Sequence, residues 1–167
     1  PLRARLAAAR RVRRELPFAV PLGPSLLTGV IDALADEHGG GVLVVDHKTE
    51  RLGEEADLER HVEEAHGVQR RAYALAALAA GAPRVEVVHA FLARAGATAH
   101  ATFAPSDAER LRAELRALAA APLLVDARPT DRPHRTLCAT CPGRRALCSH
   151  GEEVTLRDAA VVARRRG

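Results

Sequence analysis

The chain has 167 residues, 47% of them hydrophobic and 28% charged, with a net charge of +4 at pH 7. That length supplies one sizeable core and not two large ones, and no stretch approaches the roughly 20 consecutive apolar residues of a membrane-spanning helix. A polyanionic partner is permitted by the positive charge, although a chain whose cations are almost all Arg would show the same excess whatever it binds.

Residues 2–14, LRARLAAARRVRR, read as a basic helix that Pro17 and Pro21 then stop, leaving ELPFAVPL extended. LLTGVIDAL (26–34) and VLVVDHKT (42–49) read as strands of a hairpin turned by the glycines of DEHGGG. From Glu54 to Ala80 the pattern is helical, ending where Gly81 and Pro83 would end a helix. RVEVVHAFLAR (84–94) returns to strand and pairs with ATAHATF (97–103) across Gly96. Ser106, with Glu109 three residues on, predicts a capping box opening the next helix. After Pro122 the chain loosens, enters a cysteine segment and finishes as a short polar helix ending in Arg164, Arg165 and Arg166. The predicted fold class is α/β, a mixed central sheet flanked by helices. Aromatic residues are only 2% of the chain, so Leu, Val and Ala build its core around Phe18, Phe91 and Phe103.

The three cysteines, Cys138, Cys141 and Cys148, have the form C-x2-C-x6-C. Thiols clustered within one segment suit a local metal site better than a distributed disulfide framework, which points to a cytoplasmic location with no membrane as partner. Zinc in a Cys3His site completed by His134 or His150 is one possibility. The first residue, Pro1, suggests a piece of a longer chain.

Of 25 Lys plus Arg, one alone is Lys: Lys48, two residues after Asp46. A lone lysine in an arginine-rich chain points to a task for a compact ammonium that a planar guanidinium does not perform. On a strand Asp46 and Lys48 share a face, while Val45 and His47 take the other. The hairpin could bring Asp32 of GVID beside Asp46, and two such carboxylates invite a hard cation, Mg²⁺ or Mn²⁺. Gln69 and Tyr73, the sole Gln and the sole Tyr, stand at i and i+4 on one helix face that could meet this site. Such a set is a toolkit for phosphodiester hydrolysis. His38, His61, His66, His89 and His100 show no ligand spacing to one another and read as surface or core residues.

ELPF (15–18), GVID (29–32), VVDHKT (44–49) and QRRAY (69–73) resemble the successive motifs of RecB-family nuclease domains of the PD-(D/E)XK superfamily, over residues 15 to about 150. The resemblance implies a metal-dependent deoxyribonuclease, exonuclease in preference to endonuclease, at the end of a helicase-nuclease subunit that processes double-strand breaks for DNA repair. Its partners would be DNA, a helicase domain in the same chain and a second helicase-nuclease subunit. By position, Asp32 and Asp46 would hold the metal with the backbone carbonyl of His47. Lys48 would be the catalytic lysine, and Gln69 and Tyr73 the helix motif over the site. Glu15 would match an acidic residue whose role is open. Cys138, Cys141 and Cys148 resemble the trio that, with one upstream cysteine, holds a [4Fe-4S] cluster in some members. The implied division is a nuclease core, residues 1–133, with a cysteine-containing segment, 134–167, packing on it.

Departures from the family's pattern stand out, the mildest being His47, which stands where an aromatic is common. The family usually supplies a metal-ligating His upstream of the E-x-P-F stretch, and residues 1–14 hold none; nor is there a cysteine before Cys138. Either these groups precede Pro1 or the chain lacks them. In the second case it would be a catalytically silent relic serving DNA binding or subunit docking; a small zinc-bound interaction domain is a third reading.

Overall fold

In the computed structural model, which describes residues 2–124, 129–141, 143–145 and 148–158, the basic N-terminal run splits in two. Only Leu2–Ala8 is helical (α1), and Arg11–Leu22 is a strand (β1). The helix expected through residue 14 gives way because β1 pairs antiparallel with β2 (Ser25–Asp36) from Arg11 opposite Asp36 to Leu22 opposite Ser25. A ladder of that length outweighs the few tenths of a kcal/mol per residue that helix propensity offers. Pro17 and Pro21 are tolerated inside β1 because β1 is the edge of the sheet.

The hairpin expected between the two apolar strands is present. β2 turns into β3 (Val42–Lys48) through Gly40, whose φ of +82° suits glycine and whose N–H donates to the Glu37 carbonyl at 3.1 Å. The next helix, α2 (Leu58–Ala79), starts later than Glu54 because Asp57 caps it, its side chain accepting the Arg60 N–H at 3.1 Å. The chain then returns as β4 (Val85–Phe91), parallel to β3, and as β5 (Thr98–Phe103), antiparallel to β4. The sheet is thus mixed, in the order β1-β2-β3-β4-β5, with helices flanking it.

One capping expectation fails. Pro105–Asp107 is a 3-10 turn ahead of α3 (Ala108–Leu124), and the Asp107 carboxylate accepts the Ala104 N–H at 2.9 Å. Asp107 therefore does the work expected of Glu109, two residues earlier, and Ser106 is no cap. Proline at the first position of the turn explains the shift, since it starts the helical backbone a residue before Ser106.

The chain falls into two compact units, Pro1–Ala121 and Pro122–Gly167. In the first, both faces of the sheet are covered. Val20, Leu22, Ile31, Leu34, Val44, Val85 and Val87 share a core with the α2 residues from Tyr73 to Leu78. On the opposite face Ala33, Ala35, Leu43, Val45, Val88 and Ala90 meet Leu2, Leu6 and Ala9. Coverage on both faces is why VLVV reads as an unbroken apolar run. The second unit contains the helical turns α4 (Arg135–Cys138) and α5 (Glu152–Thr155), joined by the Arg135 N–H to the Arg157 carbonyl at 2.7 Å. The helix expected at Arg164, Arg165 and Arg166 lies outside the described residues.

Candidate active site

The polar cluster lies where β2 and β3 part. Their last paired residues are Ala33 and Val45, so Asp32 and Asp46 are the next residue on each strand. Asp32 Oδ2 accepts the backbone N–H of His47 at 2.8 Å, tying the two strand ends together through one of the carboxylates. The neighbouring ladder is interrupted at the same level. Arg14 pairs with Ala33 and Leu16 with Ile31, but Glu15 and Asp32 do not pair, and Glu15 has φ +47°. Ile31 and Leu34, three residues apart, consequently both reach the core beneath α2, which an uninterrupted strand forbids.

Asp46 is 2% exposed, and the Lys48 ammonium lies 2.8 Å from its Oδ2. That contact is an ion pair without aligned hydrogen-bond geometry, and Oδ2, screened from water, has no aligned hydrogen bond among the described residues. Lys48 instead donates to Gln69 Oε1 at 2.6 Å. Gln69 Nε2 donates to the Tyr73 hydroxyl at 2.8 Å, and that hydroxyl lies 3.0 Å from the Val30 carbonyl and 3.2 Å from Asp46 Oδ1, either of which its single proton can serve. The i, i+4 spacing on α2 delivers both side chains to the strand end. Burial, and then the charge of Asp46, push the Tyr73 phenol above its ordinary pKa, so it remains a donor. Asp32, Asp46, Lys48, Gln69 and Tyr73 are thereby brought into one connected cluster; Glu15 is exposed and makes no side-chain hydrogen bond among the described residues.

Residues 2–148 match the PD-(D/E)XK nuclease superfamily. The chain belongs to that superfamily. Nuclease-type chemistry, phosphodiester hydrolysis, is what this membership suggests, and nucleases of the superfamily usually use divalent metals. Among solved structures the chain is similar to the one titled "Crystal structure of SSO0001", at 18% identity with a TM-score of 0.44, covering 86% of this chain and 66% of that one, just under two thirds of its length. At that score the likeness carries no argument. No curated protein matches the chain.

For a member of a metal-dependent superfamily, the fit of the site to an ion matters. Asp46 Oδ2, buried and without an aligned hydrogen bond among the described residues, is an oxygen whose environment suits a hard cation. Asp32 keeps its other oxygen, Oδ1, free of any hydrogen bond among the described residues. The chemistry of these two carboxylate oxygens suits a divalent ion.

Beside this cluster stand histidines that sequence spacing did not connect. His89 is opposite Asp46 in the parallel β3–β4 register, fully buried, with Nε2 3.8 Å from Asp46 Oδ2. Burial, with Arg70 and Lys48 nearby, pushes its pKa down to about 3, so a neutral ring fills the space under the carboxylate. His66 stacks on it, with centroids 5.9 Å apart. His61 and His66, read as surface or core residues without ligand spacing, both turn toward Glu50, at 3.2 Å and 2.7 Å from Oε1. The hydrogen bond from His66 holds the Glu50 carboxyl below its usual range. An i, i+5 pair aimed at a residue eleven positions upstream matches no ligand pattern legible in sequence; the one available signal was that Glu50 follows Lys48 by two residues on the same chain end.

In this superfamily member the cysteines belong to the second unit. Cys138 is buried, Cys148 partly buried and Cys141 exposed. Among the described residues, neither the three sulfurs nor any of them with His134 and His150 form a group whose ligand atoms all lie within 4.8 Å of one another. The geometry therefore does not present a preformed cluster or zinc site, and His150 Nε2 contacts the Thr130 carbonyl at 2.8 Å.

Among the described residues, no helix is long and apolar enough to cross a membrane.

Proposed function

We propose that the chain is a Mg²⁺- or Mn²⁺-dependent DNA nuclease, by preference an exonuclease, and a module of a RecB-like helicase-nuclease that processes double-strand breaks in the cytoplasm beside a helicase domain and a partner subunit. One observation carries the reading: the only lysine places its ammonium 2.8 Å from a buried aspartate and 2.6 Å from the only glutamine, at a strand end that holds a second aspartate. An ion held by Asp32, Asp46 and the His47 carbonyl would polarise the scissile phosphoryl group and acidify a bound water.

The chain's own groups do the rest. Gln69 fixes the ammonium through its carbonyl, leaving the other N–H bonds of Lys48 to orient an attacking water and to offset charge on the phosphoryl oxygens as it develops. The Tyr73 hydroxyl, placed by Gln69, holds Asp46 Oδ1, so the carboxylate meets an ion without rearrangement. His89 seals the floor of the site as a neutral ring and denies water to Asp46 from below.

The test is cleavage of end-labelled linear DNA, single- and double-stranded, with Mg²⁺ or Mn²⁺. Cutting is expected with either ion and not with a chelator, and Asp46→Ala is expected to abolish cutting while DNA binding persists. Binding by the wild type without cutting in either ion would instead establish the silent relic. The same proposal gives Cys138, Cys141 and Cys148 a [4Fe-4S] cluster, on the grounds of their spacing and of thiolates flanked by Arg144 and Arg145. Anaerobically purified protein is expected to contain iron that Cys141→Ser loses together with thermal stability; zinc in place of iron would move the assignment to a Cys3His site.

A further inference from the structure

Glu50, His61 and His66 present one ligand atom each, and these atoms all lie within 4.8 Å of one another. We infer that they form a second metal site, distinct from Asp32 and Asp46, that takes a borderline divalent transition ion, zinc above all. The inference stands apart from the proposed nuclease activity and survives its failure.

Three observations support it. The donor set is two imidazoles and one carboxylate, a combination that selects zinc and its neighbours over Mg²⁺, whereas Asp32 and Asp46 offer oxygen only. Both rings turn Nε2 toward the same carboxylate oxygen, at 3.2 Å for His61 and 2.7 Å for His66. Hydrogen bonding does not account for both. His61 Nε2 is shielded from solvent and, at 3.2 Å from Glu50 Oε1, makes no aligned hydrogen bond among the described residues. A buried nitrogen without an aligned hydrogen bond is unfavourable, and an ion seated between the three atoms would relieve that while using both Nε2 lone pairs.

The surroundings suit a held ion with an open position. His66 is fixed by stacking on the buried His89, and His61 lies against His66 and Phe91, with centroids 5.7 Å and 6.1 Å away. α2 provides both histidines and the segment after β3 provides Glu50, so the ion would tie helix to strand end. Glu50 is 35% exposed, and it lines a cavity of about 370 Å³ shared with Arg51 and Arg94. With three protein ligands, a fourth position would face that opening, where water or an anion could enter.

The experiment uses protein stripped with chelator and dialysed against Zn²⁺ or Co²⁺, comparing wild type, the double variant His61→Ala/His66→Ala, the conservative Glu50→Gln, and Asp46→Asn. Metal content, Zn²⁺ affinity and the visible absorption of Co²⁺ are read, with far-UV circular dichroism to show that each variant is folded. Thiolate ligation announces itself separately by near-ultraviolet charge-transfer absorption, so the cysteines do not confuse the result. The wild type should bind one Zn²⁺ more than the double variant, and that ion should compete with the visible Co²⁺ band. The double variant should lose that band. Glu50→Gln should weaken Zn²⁺ by more than the roughly 10–100-fold that removal of an outer-shell partner typically causes, and Asp46→Asn should leave it in place. The inference is overturned if the double variant and Glu50→Gln keep wild-type metal content, affinity and spectrum, or if Asp46→Asn removes the band as completely as the double variant does.

Discussion

The two faces of the sheet each hold a cation clamped between side chains, and they use different cations. On the face covered by α1, the Arg5 guanidinium forks onto both oxygens of Glu37, at 2.9 and 3.0 Å, and both of Glu86, at 3.0 and 2.8 Å. On the face covered by α2, the Lys48 ammonium contacts Asp46 at 2.8 Å and Gln69 at 2.6 Å. The planar fork engages all four oxygens of two carboxylates, and Glu86 Oε1 also meets His100 Nδ1 at 2.9 Å. The compact ammonium makes only an ion pair with Asp46 Oδ2, which has no aligned hydrogen bond among the described residues. One clamp joins a guanidinium to two carboxylates; the other sets an ammonium beside a single buried carboxylate, with a second aspartate at the same strand end.

The largest expected effect tests that contrast directly. Lys48→Arg keeps the charge but brings in the fork, which would cover Asp46 and displace Gln69. DNA cleavage should fall by on the order of 100-fold or more, the scale of losing a positioned charge-stabilising donor, while the thermal midpoint changes little. Full activity in Lys48→Arg would remove the reason for a single lysine.

That contrast was half legible in the sequence. The Asp46/Lys48 alternation, the sole Lys, Gln and Tyr, and the i, i+4 pair all follow from strand and helix periods, so the residues of the cluster could be named and their faces assigned. The Arg5 clamp was not, because its partners come from the β2–β3 turn and from β4, and no periodic pattern links residues 5, 37 and 86. The His61, His66 and Glu50 convergence was missed for the same reason. Residues 9–14 misled because Ala and Arg favour helix locally, while the decision lay with strand partners such as Asp36 opposite Arg11 and Ala33 opposite Arg14, far along the chain. The interruption at Glu15 is a backbone event, and a glutamate gives no warning of a left-handed φ.

The second expectation concerns the arginine clamp. Arg5→Ala should destabilise the fold by on the order of 1–2 kcal/mol, charge-assisted bonds being discounted here because Arg5 is itself a third exposed. Its pH signature is more specific. Arg5 is the main cause holding the Glu86 carboxyl at about 2, below its ordinary 4.5, with a hydrogen bond to His100 assisting. A carboxyl depressed on folding contributes stability that is fully present above its unfolded pKa, and that stability is lost as pH falls from about 4.5 toward 2. Urea denaturation across that window should show a steep decline in the wild type and a shallower one in Arg5→Ala, whose Glu86 is released toward its ordinary value. Equal slopes in the two proteins would show that the fork does not hold Glu86 in solution. DNA cleavage at neutral pH should be unchanged in the folded variant, since this clamp touches none of the residues on the opposite face.

The smallest effect lies at the point where the faces are exchanged. Glu15, opposite Asp32 and unpaired, has φ +47°, a left-handed conformation that costs a residue with a Cβ about 1–2 kcal/mol. The interruption lets Leu34 join Ile31 beneath α2 while Ala33 turns to the α1 side, and so sets which side chains each clamp sees. Glycine adopts this conformation freely but surrenders roughly 0.5–1 kcal/mol of backbone entropy on folding, so Glu15→Gly should be a net gain of about 0.5–1 kcal/mol, a rise of a few degrees in thermal midpoint. The cutting rate should hold, because the exposed Glu15 side chain reaches neither Lys48 nor Asp46 and the interruption itself is preserved. A variant that loses stability would show that the left-handed turn is not the source of strain; one that gains stability but stops cutting would place the Glu15 carboxylate in the chemistry, and the lysine clamp would then have an additional acidic member.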